Sequence, residues 1–169
     1  MAKLSSPHFL CIGAAKSATT SLFNILKQHP LISVSSFKEP HFFDNSDNYN
    51  KGKEWYLRSY FSNAIPSNIL GDFTPTYLSS PLSPKRIVET FGAEMKFIVL
   101  LRNPIDRAYS HYLHTKRDEH ESLEFMEALL NEKDRFSISF KLLIIFITSE
   151  AFKLLKPVSY THLTLPTNR

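Results

Sequence analysis

Lys16 lies in a run of small and hydroxyl-bearing residues, Gly13-Ala14-Ala15-Lys16-Ser17-Ala18-Thr19-Thr20-Ser21, a composition suited to holding an oxyanion. The first amides of a helix have no intrahelical partner and the helix dipole adds partial positive charge beside them, so a phosphate or sulfate fits there. The Lys16 ammonium adds a full charge, and the Ser17, Thr19, Thr20 and Ser21 hydroxyls can serve the open amides or a ligand oxygen. A second constellation is Arg102 with Ser110. Asn103 is a suitable N-cap and Pro104 a preferred first helical residue, so Arg102 should end a strand and Ser110 should lie about two turns into the next helix. A guanidinium fork and a hydroxyl make a second phosphate site. Taken alone, the pair also fits an arginine tied to Asp106 and a serine that is simply exposed.

The elements that must position these groups follow from periodicity. Phe9 to Ile12 is a near-continuous apolar run, as in a parallel strand buried on both faces, and Gly13 permits a sharp exit. Leu22, Ile25 and Leu26 make one apolar stripe on the following helix, which His29-Pro30 stops. Phe97 to Leu101 reads as a second buried strand and Ile69-Leu70 as part of another. Ser83-Pro84 opens a helix over Lys85 to Phe91 with Gly92 as its terminator. Trp55, Tyr56, Tyr60 and Phe61, at helical spacings, should pack against the sheet. Asn45 to Gly52 reads as a polar loop, Arg117, Glu119, Glu121 and Glu124 as a solvated helix face, and a helix is expected from Ser122 through Leu123, Met126 and Leu130. In open α/β sheets ligands bind at the carboxyl edge of the strands, where both constellations fall. A nucleoside triphosphate loop would need Gly, four residues, then Gly-Lys-Ser/Thr. Counting from Gly13 puts Ala18 and Thr19 where that second Gly and the Lys belong, which disfavours a nucleotide kinase.

These segments together resemble the sulfotransferase superfamily, which uses 3′-phosphoadenosine 5′-phosphosulfate. Ala15-Lys16-Ser17-Ala18-Thr19-Thr20 is similar to the family's 5′-phosphosulfate loop, commonly Pro-Lys-Ser-Gly-Thr-Thr, and Arg102-Asn103-Pro104 with Ser110 to its 3′-phosphate motif. Lys38-Glu39-Pro40-His41-Phe42-Phe43-Asp44 resembles a segment of the heparan-sulfate-type and bacterial branch whose glutamate is the proposed base. Gly71 to Leu78 resembles that branch's Glu-Lys-Thr-Pro-x-Tyr segment. The resemblance runs from about Phe9 to about Arg135. It implies an α/β, P-loop-like three-layer fold with a central parallel sheet, incomplete at the carboxyl end. It also implies transfer of a sulfuryl group from that co-substrate to a hydroxyl or amine acceptor, small-molecule or carbohydrate, without a metal. Lys16 would offset charge on the leaving phosphate, residues Ser17, Ala18, Thr19, Thr20 and Ser21 would hold the 5′-phosphosulfate, Arg102 and Ser110 the 3′-phosphate, and Glu39 would take the acceptor proton. His41 is the other candidate base, although a histidine between Pro and two Phe also fits a packed structural role. Two departures stand out. Ala18 replaces a glycine, so a left-handed requirement there would strain the loop. Phe73 stands where several relatives carry a substrate-contacting lysine, and that role is not transferred to it.

The chain's charge argues against a nucleic-acid partner. The segment from Phe136 holds four basic residues and one acid, leaving 16 basic and 15 acidic residues before it, so the formal net charge of +4 belongs mostly to that segment. Its end, Val158 to Arg169, resembles a translated cloning adaptor, and the native frame is expected to be lost near Arg135. The expected organisation is therefore a donor-binding part over 1–135 and an atypical tail over 136–169, with a non-catalytic fragment that binds nucleotide weakly as the alternative function. Leu142 to Ile147 is too short to span a bilayer and residues 1–8 do not read as a signal peptide, so no membrane partner and a cytoplasmic location are expected. Cys11, the single cysteine, should be a small core residue.

Overall fold

A computed structural model of the chain describes residues 6–131. Four parallel strands form one sheet in the order β2-β3-β1-β4: β1 is Phe9–Gly13, β2 Ile32–Val34, β3 Ile69–Phe73 and β4 Lys96–Val99. Strand β1 owes its central place to an apolar residue at every alternating position. Phe9 and Cys11 turn to one face with Phe23 and Phe73, while Leu10 and Ile12 turn to the other with Phe42, Tyr56, Leu70, Tyr77 and Ile87. The sheet is thus covered on both sides, the α/β layering expected. Gly71 on β3 is the register partner of Phe9, whose ring lies where a Cβ would be, at 2.2 Å. That close approach lets the Phe9 ring meet Phe73 edge-on at 5.8 Å.

Helices α1 (Thr19–Lys27), α2 (Ser46–Asn50), α3 (Gly52–Phe61) and α4 (Ser83–Phe91) connect the strands, with a 3₁₀ turn at Pro75–Leu78, and α5 (Pro104–Arg117) follows β4. Tyr56, Leu57 and Phe61 of α3 are buried, with Trp55 and Tyr60 packed against the same core. Gly92, at φ 86°, ends α4 as its position predicts. The chain leaves β1 for β2 on one side of the sheet and reaches β4 on the other only after β3. The carboxyl ends of β1 and β4 therefore flank a topological switch point, the crevice where such sheets bind ligands.

Several expectations need correction. β4 is not buried on both faces. It is the edge of the described sheet, Phe97 and Ile98 are only partly buried, Lys96 and Val99 are exposed, and Leu101 just beyond them is 81% exposed. An apolar run alone does not say whether a strand is central or at an edge. Asn45 to Gly52 is not a loop throughout: the Asn45 side chain accepts a hydrogen bond from the Asn48 N–H at 3.1 Å and starts α2. Glu119 and Glu121 are not on a helix, because α5 ends at Arg117 and Glu119 is left-handed at φ 60°. The following helical segment starts at residue 125 rather than 122. The expectations for the tail lie outside the described residues. Among the described residues no helix is long and apolar enough to cross a membrane.

Candidate active site

The loop after β1 is stitched to the loop after β4. Ala14 N–H donates to the Leu100 carbonyl at 2.8 Å, Leu100 N–H to the Gly13 carbonyl at 2.7 Å, and the Arg102 guanidinium to the Lys16 carbonyl at 3.3 Å. The structure thus brings Lys16 and Arg102 to one rim, and Arg102 is not tied to Asp106. Asn103 caps α5 as its sequence position implies, accepting from the Ile105 N–H at 2.9 Å, and half-buried Ser110 follows two turns later on that helix. His111, beside Ser110, was not anticipated. Burial and then the positive charges of Arg107, His114 and Lys16 push its imidazole toward the neutral form.

Within the loop, Lys16 and Ala18 both adopt left-handed backbone, each at φ 65°. The position that the family pattern gives to glycine does require positive φ. Leu22 N–H closes the first turn of α1 on the Ala18 carbonyl at 3.1 Å, which leaves the preceding amides at the helix mouth. Ser17 is 5% exposed and its Oγ has no hydrogen-bond partner, an arrangement that fits a ligand oxygen as its acceptor. Thr19 is buried in the first turn, whereas Thr20 and Ser21 are exposed. A left-handed alanine costs roughly 1–2 kcal/mol. Ala18→Gly is therefore expected to raise stability by roughly 0.5–1 kcal/mol after glycine's larger unfolded-chain entropy is subtracted. Urea unfolding checks this, and an unchanged or lower midpoint contradicts it.

Glu39 stands on the same rim. Its N–H donates to the carbonyl of Phe73, the last residue of β3, at 3.0 Å, and Phe73 pairs with Cys11 of β1. The carboxylate contacts the Lys38 ammonium through Oε1 and lies 3.6 Å from His41 Nε2 through Oε2. On its other side, His41 Nδ1 is 2.9 Å from Asp44 Oδ2, to which the Thr76 hydroxyl also donates. The result is a carboxylate, imidazole, carboxylate chain. The Asp44 and Glu39 carboxylates raise the His41 pKa to about 10, whereas His41, followed by Lys38, lowers that of Glu39 to about 2 against some burial. Burial pushes Asp44 upward, but hydrogen bonds from His41 and Thr76 outweigh it and leave the carboxyl below its ordinary range. His41 is thus a cation near neutral pH and Glu39 a carboxylate, which favours Glu39 over His41 as proton acceptor.

The signs give a pH prediction. His41's folded pKa is raised, so its contribution is complete below its ordinary 6.5 and is lost as pH climbs toward about 10. Glu39's is depressed, so its contribution is present above 4.5 and lost as pH falls toward about 2. Both contributions are whole only between those ordinary values. Both side chains are more than a third exposed, so solvent screening limits the loss between about pH 6 and about pH 9 to about 0.5–1 kcal/mol. Urea unfolding at the two pH values should show this loss in the wild-type chain and a smaller one in His41→Gln.

Beneath the rim sits Asp72, fully buried on β3. It accepts hydrogen bonds from Tyr56 at 2.7 Å, Thr74 at 2.7 Å and Tyr77 at 3.1 Å. Burial raises its pKa to about 6 despite these three donors. An acid inside the strand Ile69-Leu70-Gly71-Asp72-Phe73 was the signal for it. Phe73 itself is fully buried between Phe9 and Phe23, so it offers no side chain to the rim. Cys11 is likewise a core residue, its thiol pushed up to about 12 by burial.

Comparisons with known proteins converge on one family. The profile described as "Sulfotransferase domain" matches residues 6–153. Bifunctional heparan sulfate N-deacetylase/N-sulfotransferase 4 of Mus musculus is 41% identical over 122 residues, covering 67% of this chain and 13% of that protein. The corresponding enzyme 2 of Homo sapiens is 39% identical over 123 residues, covering 65% and 13%. The chain thus spans 13% of the length of these curated relatives. The crystal structure of a sulfotransferase from Alicyclobacillus acidocaldarius superposes with a TM-score of 0.67 at 31% identity, covering 89% of this chain and 65% of that one.

Proposed function

This chain belongs to the sulfotransferase domain family, and from that premise we propose that it moves a sulfuryl group from 3′-phosphoadenosine 5′-phosphosulfate to a carbohydrate hydroxyl or amine. The observation that carries this reading is the meeting of the Lys16 loop and Arg102 at one rim, beside Glu39. The donor supplies an activated sulfuryl group on a phosphate leaving group. Lys16 and the open amides of α1 place positive charge where negative charge grows on that phosphate. The Ser17 hydroxyl, buried and without a partner, would bind an oxygen of the 5′-phosphosulfate. Arg102, with Ser110 along α5, would grip the 3′-phosphate and so select this donor over other adenine nucleotides. Glu39 accepts the proton of the attacking hydroxyl or amine. Its low pKa makes it a weak base at rest, so proton transfer has to follow the formation of the sulfur–acceptor bond, which acidifies that proton. The carbohydrate acceptor is inferred from the named activity of the mouse and human relatives.

The experiment is sulfuryl transfer from the labelled donor to a glycosaminoglycan, with calorimetry of 3′-phosphoadenosine 5′-phosphate in parallel. Arg102→Ala should weaken that nucleotide about 10–100-fold, with Arg102→Lys recovering only part because it loses the fork. Unchanged affinity in Arg102→Ala removes its assignment. A second reading, nucleotide binding without turnover, is favoured by the exposure of the apolar side chains of Leu101, Ile105 and Leu113 on and beside α5. Nucleotide binding without transfer would select it.

A further inference from the structure

The turn that carries Glu39 is held in a shape its own residues disfavour. Glu39 precedes a proline and has φ 63°, His41 has φ 49°, and Pro40 between them is buried. Backbone of this kind persists only where its surroundings over-determine it. The Asn48 side-chain amide donates to the Pro40 and His41 carbonyls, at 3.4 and 3.2 Å, and two more hydrogen bonds pin the turn from beneath: Glu39 N–H to the Phe73 carbonyl at its start, and Phe42 N–H to the Tyr77 hydroxyl, at 3.0 Å, at its end. The first acceptor is backbone and is available whatever the side chains. The second is a hydroxyl that can rotate and could equally donate. What fixes its direction is Asp72, whose Oδ2 takes the Tyr77 proton at 3.1 Å and leaves the phenolic lone pairs to the Phe42 amide. Tyr56 and Thr74 hold the same carboxylate, and Asp72, Tyr56 and Tyr77 are all fully buried. Packing alone would be served better by an apolar residue, since a buried carboxyl is unfavourable unless its partners repay the lost hydration.

We propose that Asp72, acting through the Tyr77 hydroxyl on the Phe42 amide, is a positioning residue that keeps the Glu39–His41 turn in its working geometry. The proposal rests on the assignment of Glu39 as the base. Asp72 touches no reacting atom, and its effect is on the chemical step rather than on donor binding.

The test compares Tyr77→Phe with Tyr56→Phe in the full 169-residue chain. Tyr56→Phe removes a donor to the same carboxylate while keeping the ring that stacks on Phe42 at 4.5 Å. Exchange of the Phe42 amide is followed by NMR alongside steady-state sulfuryl transfer. Tyr77→Phe should speed that exchange and lower kcat, each by about tenfold or more, with KM for the donor within about twofold, while Tyr56→Phe moves neither by as much. Should Tyr77→Phe fail to fold by circular dichroism, Asp72→Asn carries the same measurements, since it keeps the size and loses the charge that directs the Tyr77 proton. Unchanged exchange and kcat in the variant that carries the test, or equal effects in Tyr56→Phe, overturn the proposal. If the wild-type chain transfers no sulfuryl group, the functional reading fails, and the Phe42 exchange rates decide the clamp by themselves.

Discussion

Replacing Lys16 with alanine is expected to lower kcat for sulfuryl transfer by about 100–1,000-fold, the range seen when one preorganised charge-stabilising donor is removed. The loss should fall on the chemical step. Lys16 sits in left-handed backbone at the mouth of α1, with its carbonyl taken by the Arg102 guanidinium, so the loop path does not depend on its side chain. Affinity for 3′-phosphoadenosine 5′-phosphate, which lacks the sulfuryl group, should drop much less than kcat. Lys16→Arg should recover little, because a planar fork does not present charge as a compact ammonium does. Transfer at the wild-type rate in Lys16→Ala would remove the residue from the mechanism.

Glu39→Gln is expected to lower kcat by about 100–10,000-fold, the span associated with loss of a positioned general base. The amide is close to isosteric and the backbone bond from residue 39 to the Phe73 carbonyl remains, so the turn should keep its path. His41 loses one anionic neighbour, but Asp44, its principal partner, still holds the imidazole charged. A cationic imidazole cannot take over as acceptor. His41→Gln should therefore cost less than Glu39→Gln, and the reverse order, with activity kept in Glu39→Gln, would reassign the base to His41.

The meeting of the Lys16 turn and Arg102 at one sheet rim was readable from the sequence because its signals are local. A strand, a lysine-bearing turn and an amphipathic helix sit within about twenty residues, and Asn103-Pro104 marks the second rim segment directly. Even the strain at Ala18 was legible, because one residue type stands where another is usual. The long-range contacts that support the Glu39 turn were not. Thr76 reaches Asp44 across 32 residues and Tyr77 reaches Phe42 across 35, and no periodicity within either segment encodes that meeting. Three residues, Ile32 to Val34, are too few for alternation to announce a strand, so β2 becomes visible only once paired with β3. The exposure of β4 depends on which strands lie beside it, a property of the whole sheet rather than of Lys96 to Val99.

The bond between Arg102 and the carbonyl of Lys16 joins residues 86 apart in the chain. At a ribosomal pace of roughly 5–20 residues per second, the half of the pocket bearing the lysine waits roughly 4–17 seconds for its counterpart to be synthesised, and longer for it to clear the exit tunnel. A ligand that has to be gripped by both groups therefore cannot template the early collapse of β1 and α1. Any stabilisation by ligand reaches this polypeptide only after its fourth strand has docked.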